Sequence, residues 1–259
     1  ENHMYKIEKT NLSNIKCSFP EFKKYSAEKK QNIPIDKKER ELFDFNGYIL
    51  NLYWGDLHMH SNISLCSRNK FFHCTNVEEK HKFSRYVGKL DFCLLTDHEN
   101  MSDVDWARTK KSANFWNYDN KFVSFLGFEW TSSCLEKYHN YGHYNVLYKK
   151  DGKLYRIQDG SCFDIKQLWS HLKSKNAMTI PHHPSDGIHP LDLNYFNEKL
   201  VRLIEIFQVR GAYEKDNGVF NPNDLGRTTV KGNSITDALF RDYRFGFTAG
   251  GEHEGVGIT

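Results

Sequence analysis

Metal-binding side chains follow several predicted strands of this sequence. His58 and His60 lie two residues apart, directly after the apolar run of residues 48–54. Side chains two apart on a strand point to the same side, so both imidazoles can bind one ion. Strand ends of α/β enzymes meet at one edge of the sheet, where we expect all such donors to converge. The candidate metal ligands are His58, His60, His98, Glu129, His143, His182, Glu252 and His253.

The mixture of donors indicates the kind of metal. Many imidazoles with few carboxylates favour Zn, Mn or Fe over Mg or Ca. The candidates are too numerous for the coordination shell of one ion, so more than one ion is expected. A second histidine, His183, directly follows His182, and the sequence leaves open which of the two binds metal.

Predicted strands and helices alternate along the chain. The run of residues 48–54 predicts a buried strand that delivers the first histidine pair. Further strands are predicted at residues 91–98, 122–129, 144–148, 177–180, 201–207 and 244–251. Helices are predicted at residues 76–90 with Asn76 as N-cap, 103–116, 163–175 with Asp164 as N-cap, and 234–243. This alternation predicts an α/β fold with a parallel sheet, which we expect to close into a barrel.

Length and composition are those of one globular domain. The chain has 259 residues and a net charge of +3, which is too small to indicate nucleic-acid binding by itself. Residues 1–46 predict a lysine-rich N-terminal extension, and residues 47–259 predict the globular domain. The sequence has no run of about 18 apolar residues and no signal-peptide pattern, so we predict a cytoplasmic protein that does not contact membranes. The 6 cysteines form no Cys-x-x-Cys pair, which argues against a zinc ribbon.

Five motifs together resemble the PHP (polymerase and histidinol phosphatase) superfamily. They are Gly55-Asp56-Leu57-His58-Met59-His60-Ser61, Leu95-Thr96-Asp97-His98, Gly127-Phe128-Glu129-Trp130-Thr131, Gly142-His143-Tyr144-Asn145-Val146 and Ile180-Pro181-His182-His183-Pro184. They occur in the family's order over about residues 47–258 and are most similar to a poorly characterised PHP-related branch. The resemblance implies a distorted (β/α)7 TIM-like barrel, a site for two or three divalent ions, and hydrolysis of phosphate esters.

The resemblance also assigns metal ligands, motif by motif. The matches are His58 and His60 with the first motif, His98 with the second, Glu129 with the bridging carboxylate, His143 with the following histidine, His182 with the apolar-His-Pro motif, and Glu252 with His253 in the last motif.

Three departures from the family pattern change the expected site. The family usually has a ligand a few residues after the first pair, and here Cys66 is the only residue that could replace it. The last motif reads Gly-Glu-His-Glu, with a shorter spacing, so Glu254 is another candidate ligand. The chain also stops at Thr259, where relatives continue. The last barrel unit is therefore expected to be missing, short or supplied by a partner protein.

Residues beside the ligands have predicted roles in phosphate-ester hydrolysis. Paired ions about 3.5 to 4 Å apart can bind a phosphate and activate water. Asp56, Asp97 and Asn145 are candidates for orienting the ligands, and Asp97 is also a candidate catalytic residue. Arg210 is a candidate catalytic and substrate-binding residue, and His183 is a second candidate for substrate binding. For Arg210, a surface salt bridge is equally compatible with the sequence.

The sequence leaves three functional classes open. A phosphoesterase could act on a phosphorylated small molecule or, as a nuclease, on a nucleic-acid end. An amidohydrolase-type barrel also begins with His-x-His, but it normally uses a lysine where this chain has Glu129. A pseudoenzyme or binding subunit would keep the barrel with an incomplete metal set.

Overall fold

The structure, a computed structural model, describes residues 42–70, 75–118, 120–132 and 139–252. All of these residues belong to one compact unit, residues 40–259. The strands are β1 Leu42–Phe45, β2 Tyr48–Asn51, β3 Gly55–Met59, β4 Phe92–Leu95, β5 Val123–Thr131, β6 His143–Tyr148, β7 Ala177–His182, β8 Leu203–Gln208, β9 Gly211–Ala212 and β10 Gly246–Ala249. The helices are α1 Leu65–Lys70, α2 Val77–Tyr86, α3 Asp103–Trp116, α4 Ile165–Leu172 and α5 Ile235–Phe240, with a 3-10 helix at Pro222–Leu225.

The described residues form an α/β fold with a partial barrel. Five strands pair in the order β3-β4-β5-β6-β7 and form a curled sheet. A second sheet has the order β10-β8-β9, with β8 and β10 parallel. Two isolated parallel bridges, Thr179 with Val201 and Met59 with Glu252, connect the two sheets.

The prediction of an all-parallel sheet is wrong at β6. This strand is antiparallel to both neighbours, β5 and β7. Only residues 132–142 separate β5 from β6, whereas a parallel crossover needs about a dozen residues or more. The first residue of β6 therefore lies at the same sheet edge as the last residues of β5 and β7.

The apolar run of residues 48–54 is exposed, so the prediction of a buried strand there is wrong. β2 pairs with β1 in an antiparallel hairpin around Asn46 and Gly47, whose φ angles of 52° and 82° are those of a tight turn. The histidine pair is carried instead by β3, which is buried from Asp56 to Met59. The hairpin spans the predicted boundary between residues 46 and 47, and the division into extension and domain stays a prediction.

Helices α2, α3 and α4 begin at side chains that accept hydrogen bonds from the first turn. Asn76 and Asp164 cap α2 and α4, as the sequence predicts, and Ser102 caps α3. Helix α4 buries Ile165, Leu168 and other apolar residues in the main hydrophobic core. Helix α2 packs against β4 and helix α3 against β5. No helix in the described part of the chain is both long and apolar enough for a membrane span.

We expect His81 to make folding stability depend on pH. Its buried ring lies on α2, with Nδ1 2.9 Å from the Val77 carbonyl oxygen and 3.0 Å from Ser112 Oγ. Burial lowers its pKa to about 4, whereas an unfolded histidine titrates near about 6.5. As pH falls through this window, the unfolded chain binds a proton that the folded chain does not, so stability falls by roughly 2 kcal/mol between pH 7 and pH 5.

Urea unfolding at both pH values measures this effect. A His81→Gln variant is the control, because it keeps a side-chain donor for Val77 but cannot titrate. The variant should lose about 2 kcal/mol less than the wild type between the two pH values. Equal losses in the two proteins would contradict the assignment to His81.

Candidate metal centre

The edge where β5, β6 and β7 meet brings three candidate ligands together. Glu129 lies near the end of β5, His143 begins β6, and His182 ends β7. In the register of the sheet, His143 lies opposite both Thr131 and His182. Because β6 runs antiparallel, an imidazole at its start reaches the same edge as residues at the ends of its neighbours.

The first histidine pair reaches this edge from β3. His58 is on the strand and His60 directly follows it. The Glu252 segment lies alongside, since its backbone N–H donates to His58 O at 2.8 Å and its carbonyl accepts from His60 N at 3.0 Å. Both imidazoles and the Glu252 side chain are buried.

Glu129 lies at the centre, with imidazoles on both sides of its carboxylate. Its Oε2 is 2.9 Å from His60 Nε2 and 3.6 Å from His58 Nε2. Its Oε1 is 2.6 Å from His143 Nδ1 and 3.1 Å from His182 Nε2. Two groups of possible metal ligands therefore share Glu129, namely His58, His60 and Glu129, and Glu129, His143, His182 and His183.

A third possible ligand group contains His60, Cys66 and His98. Cys66 Sγ is 3.7 Å from His60 Nδ1. His98 pairs with Glu129 in a parallel bridge between the strand ends, and its Nδ1 is 2.8 Å from Thr131 Oγ1. Cys66 thus lies beside the ligands, where the sequence suggested a replacement for a family ligand.

Charge is concentrated in this buried cluster. Burial alone would raise the pKa of Glu129, but attraction to His98 and His182 and hydrogen bonds from His143 and His182 hold it well below its usual range. Burial alone would lower the pKa of His60, but hydrogen bonding with Cys66 and attraction to Glu129 raise it to about 10. Burial lowers the pKa of His98 to about 3. A bound cation and protons would therefore compete for the same imidazole nitrogens.

The donor set fits divalent cations. Buried polar atoms are nearly always hydrogen bonded, yet several here have no hydrogen-bond partner among the described residues. They are Glu129 Oε2, His143 Nε2, His182 Nδ1, His183 Nδ1 and Glu205 Oε1. Glu129 Oε2 and His60 Nε2 lie 2.9 Å apart and belong, with His58, to one group of possible metal ligands. Imidazole and carboxylate together suit Zn, Mn or Fe.

Asp97 acts on the His60 imidazole through the Ser64 hydroxyl. It accepts from Ser61 Oγ at 2.6 Å and from Ser64 Oγ at 2.7 Å. Because the Ser64 proton points to Asp97, Ser64 Oγ can accept from His60 Nδ1, 2.9 Å away. This chain of hydrogen bonds leaves His60 Nε2 as the ligand atom that faces Glu129.

Asp56 and Asn145 hold the backbone of β3. Asp56 accepts from His58 N at 2.8 Å and from Gly251 N at 3.2 Å. Asn145 Nδ2 donates to the Leu57 carbonyl at 3.3 Å. These hydrogen bonds come from main-chain N–H groups or go to a main-chain carbonyl rather than to imidazoles, so both residues fix the position of the strand that carries the ligands.

The two predicted substrate-binding residues also border the cluster. His183 has a left-handed φ of 37°, which turns its ring to within 4.5 Å of the His182 ring and 4.7 Å of the His143 ring, between centroids. The structure therefore places both His182 and His183 at the cluster. Arg210 Nη1 lies 2.5 Å from Glu252 Oε1 in a largely buried ion pair. His253 and Glu254 lie outside the described residues.

Glu205 is a site residue that the sequence analysis missed. It lies on β8, its side chain is 1% exposed, and its Oε2 is 2.8 Å from His58 Nδ1. This contact leaves His58 Nε2 facing Glu129, as in carboxylate–histidine–metal arrangements. A Cβ on Gly250 would lie 2.6 Å from His58 Cβ and 2.8 Å from Glu205 Oε2, so only glycine fits there. A charged residue inside the apolar run of β8 was the available signal.

Glu205 is expected to strengthen metal binding by orienting His58. A Glu205→Gln variant should bind Zn²⁺ about 10 to 100 times more weakly, because the amide keeps the shape but loses the charge that favours the correct imidazole tautomer. Competition with a chromophoric chelator measures this affinity. Glu99→Gln is the matched control, since Glu99 is equally buried but accepts from the Thr131 N–H. Equal affinity in the wild type and Glu205→Gln would contradict the proposed role.

Curated relatives of the chain are uncharacterised proteins of Chlamydia. One from Chlamydia pneumoniae is 22% identical over 207 residues, which cover 78% of this chain and 32% of that protein. One from Chlamydia muridarum is 25% identical over 184 residues, which cover 68% of this chain and 29% of that protein. The chain therefore spans about a third of the length of these relatives.

Two solved structures show remote similarity. PsfC from Pseudomonas syringae has a TM-score of 0.46 and 13% identity, covering 78% of each chain. A proposed metal-dependent phosphoesterase from Bifidobacterium adolescentis has a TM-score of 0.41 and 11% identity, covering 79% of this chain and 89% of its own.

The chain also matches the profile of a protein family. The profile of DUF3604, a family of proteins of unknown function, matches residues 75–226. This range includes Glu129 and the histidines on β6 and β7. Since it covers more than half of the 259 residues, the chain belongs to the DUF3604 family.

Proposed function

We propose that this chain is a metal-dependent phosphoesterase of the PHP type. The observation that carries the proposal is the buried Glu129 carboxylate, which has two imidazoles beside each of its oxygens. A carboxylate in this position can bridge two ions, with His58 and His60 on one side and His143 and His182 on the other. The two groups of possible ligands that share Glu129 support a site for two ions.

The other residues of the site either position metal ligands or are available to bind substrate. Divalent ions held by these residues would activate water and neutralise charge on a phosphate. Glu205 holds His58, and Asp97 holds His60 through Ser64. Arg210 lies at the cluster through its ion pair with Glu252 and offers a guanidinium for a phosphate oxygen. The group that contains Cys66 is a candidate for a third ion.

We also infer that the two sheets form the distorted barrel of the PHP fold. The bridges between Thr179 and Val201 and between Met59 and Glu252 support this, because they start from β7 and β3, the two edge strands of the five-stranded sheet. The cytoplasmic location, the absence of membrane contact and a partner that completes the C-terminal part stay predictions. This activity is proposed for the chain alone, which spans about a third of the length of its curated relatives.

Metal content and hydrolysis test the proposal together. Purified protein should contain at least two ions of Zn, Mn or Fe per chain by plasma emission spectrometry. It should hydrolyse p-nitrophenyl phosphate or bis-p-nitrophenyl phosphate when loaded with one of these metals, and chelation should abolish hydrolysis. Dihydroorotate, an amide substrate, serves as the control for an amidohydrolase. A protein that holds at most one ion and is inert toward both esters would instead be a binding subunit.

A further inference from the structure

Buried donors without partners lie on one side of the candidate metal centre. Tyr213 is 1% exposed, and its hydroxyl makes no hydrogen bond within the described part of the chain. The same holds for His183 Nδ1, and the two rings are 6.3 Å apart between centroids. Leaving such groups buried and unpaired destabilises the folded protein. This cost is offset when a ligand supplies the missing acceptor.

Arg210 adds a positive charge to the same place. Its charge interacts with Tyr213 and with His183. The Gln208 side-chain oxygen accepts from Arg210 N at 3.0 Å, which fixes the backbone that carries the guanidinium. Tyr213 is fixed through its own backbone N–H, which donates to the Ile206 carbonyl at 2.8 Å. The backbone at Arg210 and Tyr213 is therefore anchored to β8.

Charged side chains of both signs act on Tyr213. Asp186 and Glu252 are negative, and Arg210 and Arg227 are positive. The Asp186 carboxylate is already engaged by the backbone N–H groups of Ile188 and His189. Divalent ions at the Glu129 cluster would add positive charge to this site, which favours an anion. A hydroxyl donor, an imidazole and a guanidinium together suit an oxygen of a phosphate.

We propose that Tyr213, His183 and Arg210 form a subsite for a non-bridging phosphate oxygen, and that it favours phosphomonoesters over phosphodiesters. The inference rests on the proposed function, since it assigns a substrate class to the same site. A monoester has three non-bridging oxygens and a diester has two, so a monoester retains an oxygen for this subsite when two others face the cations. The subsite is also buried, which suits a small terminal group rather than a second ester arm.

A Tyr213→Phe variant tests the proposal. Because the hydroxyl has no protein partner in the described residues, its removal should leave the melting temperature unchanged or slightly higher. The metal-loaded variant should bind inorganic phosphate about tenfold more weakly in a thermal-shift titration. Its KM for p-nitrophenyl phosphate should rise about tenfold, while kcat/KM for bis-p-nitrophenyl phosphate should change less than about twofold.

Tyr148→Phe is the matched control. Tyr148 is also fully buried, but its hydroxyl donates to the Lys153 carbonyl at 2.6 Å rather than to a residue of the subsite. This control should melt at a lower temperature and bind phosphate like the wild type. If Tyr213→Phe behaves like the control in both measurements, Tyr213 is structural and the subsite is refuted. Wild-type protein that binds phosphate through Tyr213 but hydrolyses no ester would support the subsite while refuting the proposed phosphoesterase activity.

Discussion

A Glu129→Gln variant is expected to lose both ions of the candidate metal centre. Glu129 belongs to two of the groups of possible ligands, so one substitution removes a charged ligand from each. The amide keeps the volume of the side chain but cannot bridge two cations as a carboxylate does. Supporting residues alone change metal affinity by about 10 to 100 times, so a shared ligand should cost more than about 100-fold for each ion.

Emission spectrometry and chelator competition measure this loss directly, and ester hydrolysis should fall below detection. Glu99→Gln again provides the control, because Glu99 is a buried carboxylate next to a candidate ligand, His98. Far-UV circular dichroism separates loss of metal from loss of fold. If Glu129→Gln retains two ions at wild-type affinity, the bridging role is wrong.

A variant with both His58→Ala and His60→Ala is expected to lose one ion and all turnover. These two imidazoles lie on the Oε2 side of Glu129, whereas His143 and His182 lie on the Oε1 side. The second group of ligands, which includes His183, remains complete in this variant. One ion should therefore be retained, but the paired site that activates water is gone.

His171→Ala is the matched control for this variant. His171 is exposed on α4 and its ring stacks on Tyr155 at 4.6 Å, away from the candidate ligands. This control should retain all ions and full activity. Ester hydrolysis that persists in the double variant at the wild-type rate would rule out the two-ion mechanism.

Local sequence signals predicted much of the secondary structure. The helix predicted over residues 103–116 forms as Asp103–Trp116, and Asn76 and Asp164 cap the helices that they were predicted to cap. Capping and helical periodicity depend on residues within one or two turns, so they can be read from a short window. The direction of β6 and the exposure of β2 depend on how each strand packs in the tertiary structure, which the apolar pattern of a strand does not encode.

The same distinction applies to the site. The types and order of the imidazoles and carboxylates indicated which residues should lie close together. The structure places these residues at one edge of the sheet, namely His58, His60, His98, Glu129, His143, His182 and Glu252. The sequence did not indicate Glu205, because its contact with His58 joins two residues that are 147 positions apart. His183 could not be separated from His182, because the left-handed backbone that turns its ring inward is a conformational property.

The amino-acid sequence by itself determined the chemistry available to this protein, namely many imidazoles with few carboxylates, and the local helices and strands that carry them. Only the tertiary structure decided that Glu129 has imidazoles on both sides and that Glu205 orients His58. It also decided that the Tyr213 ring lies 6.3 Å from the His183 ring. The physical reason is that coordination and hydrogen bonding depend on distances of a few ångströms between residues far apart in the chain, and only packing of the strands sets those distances.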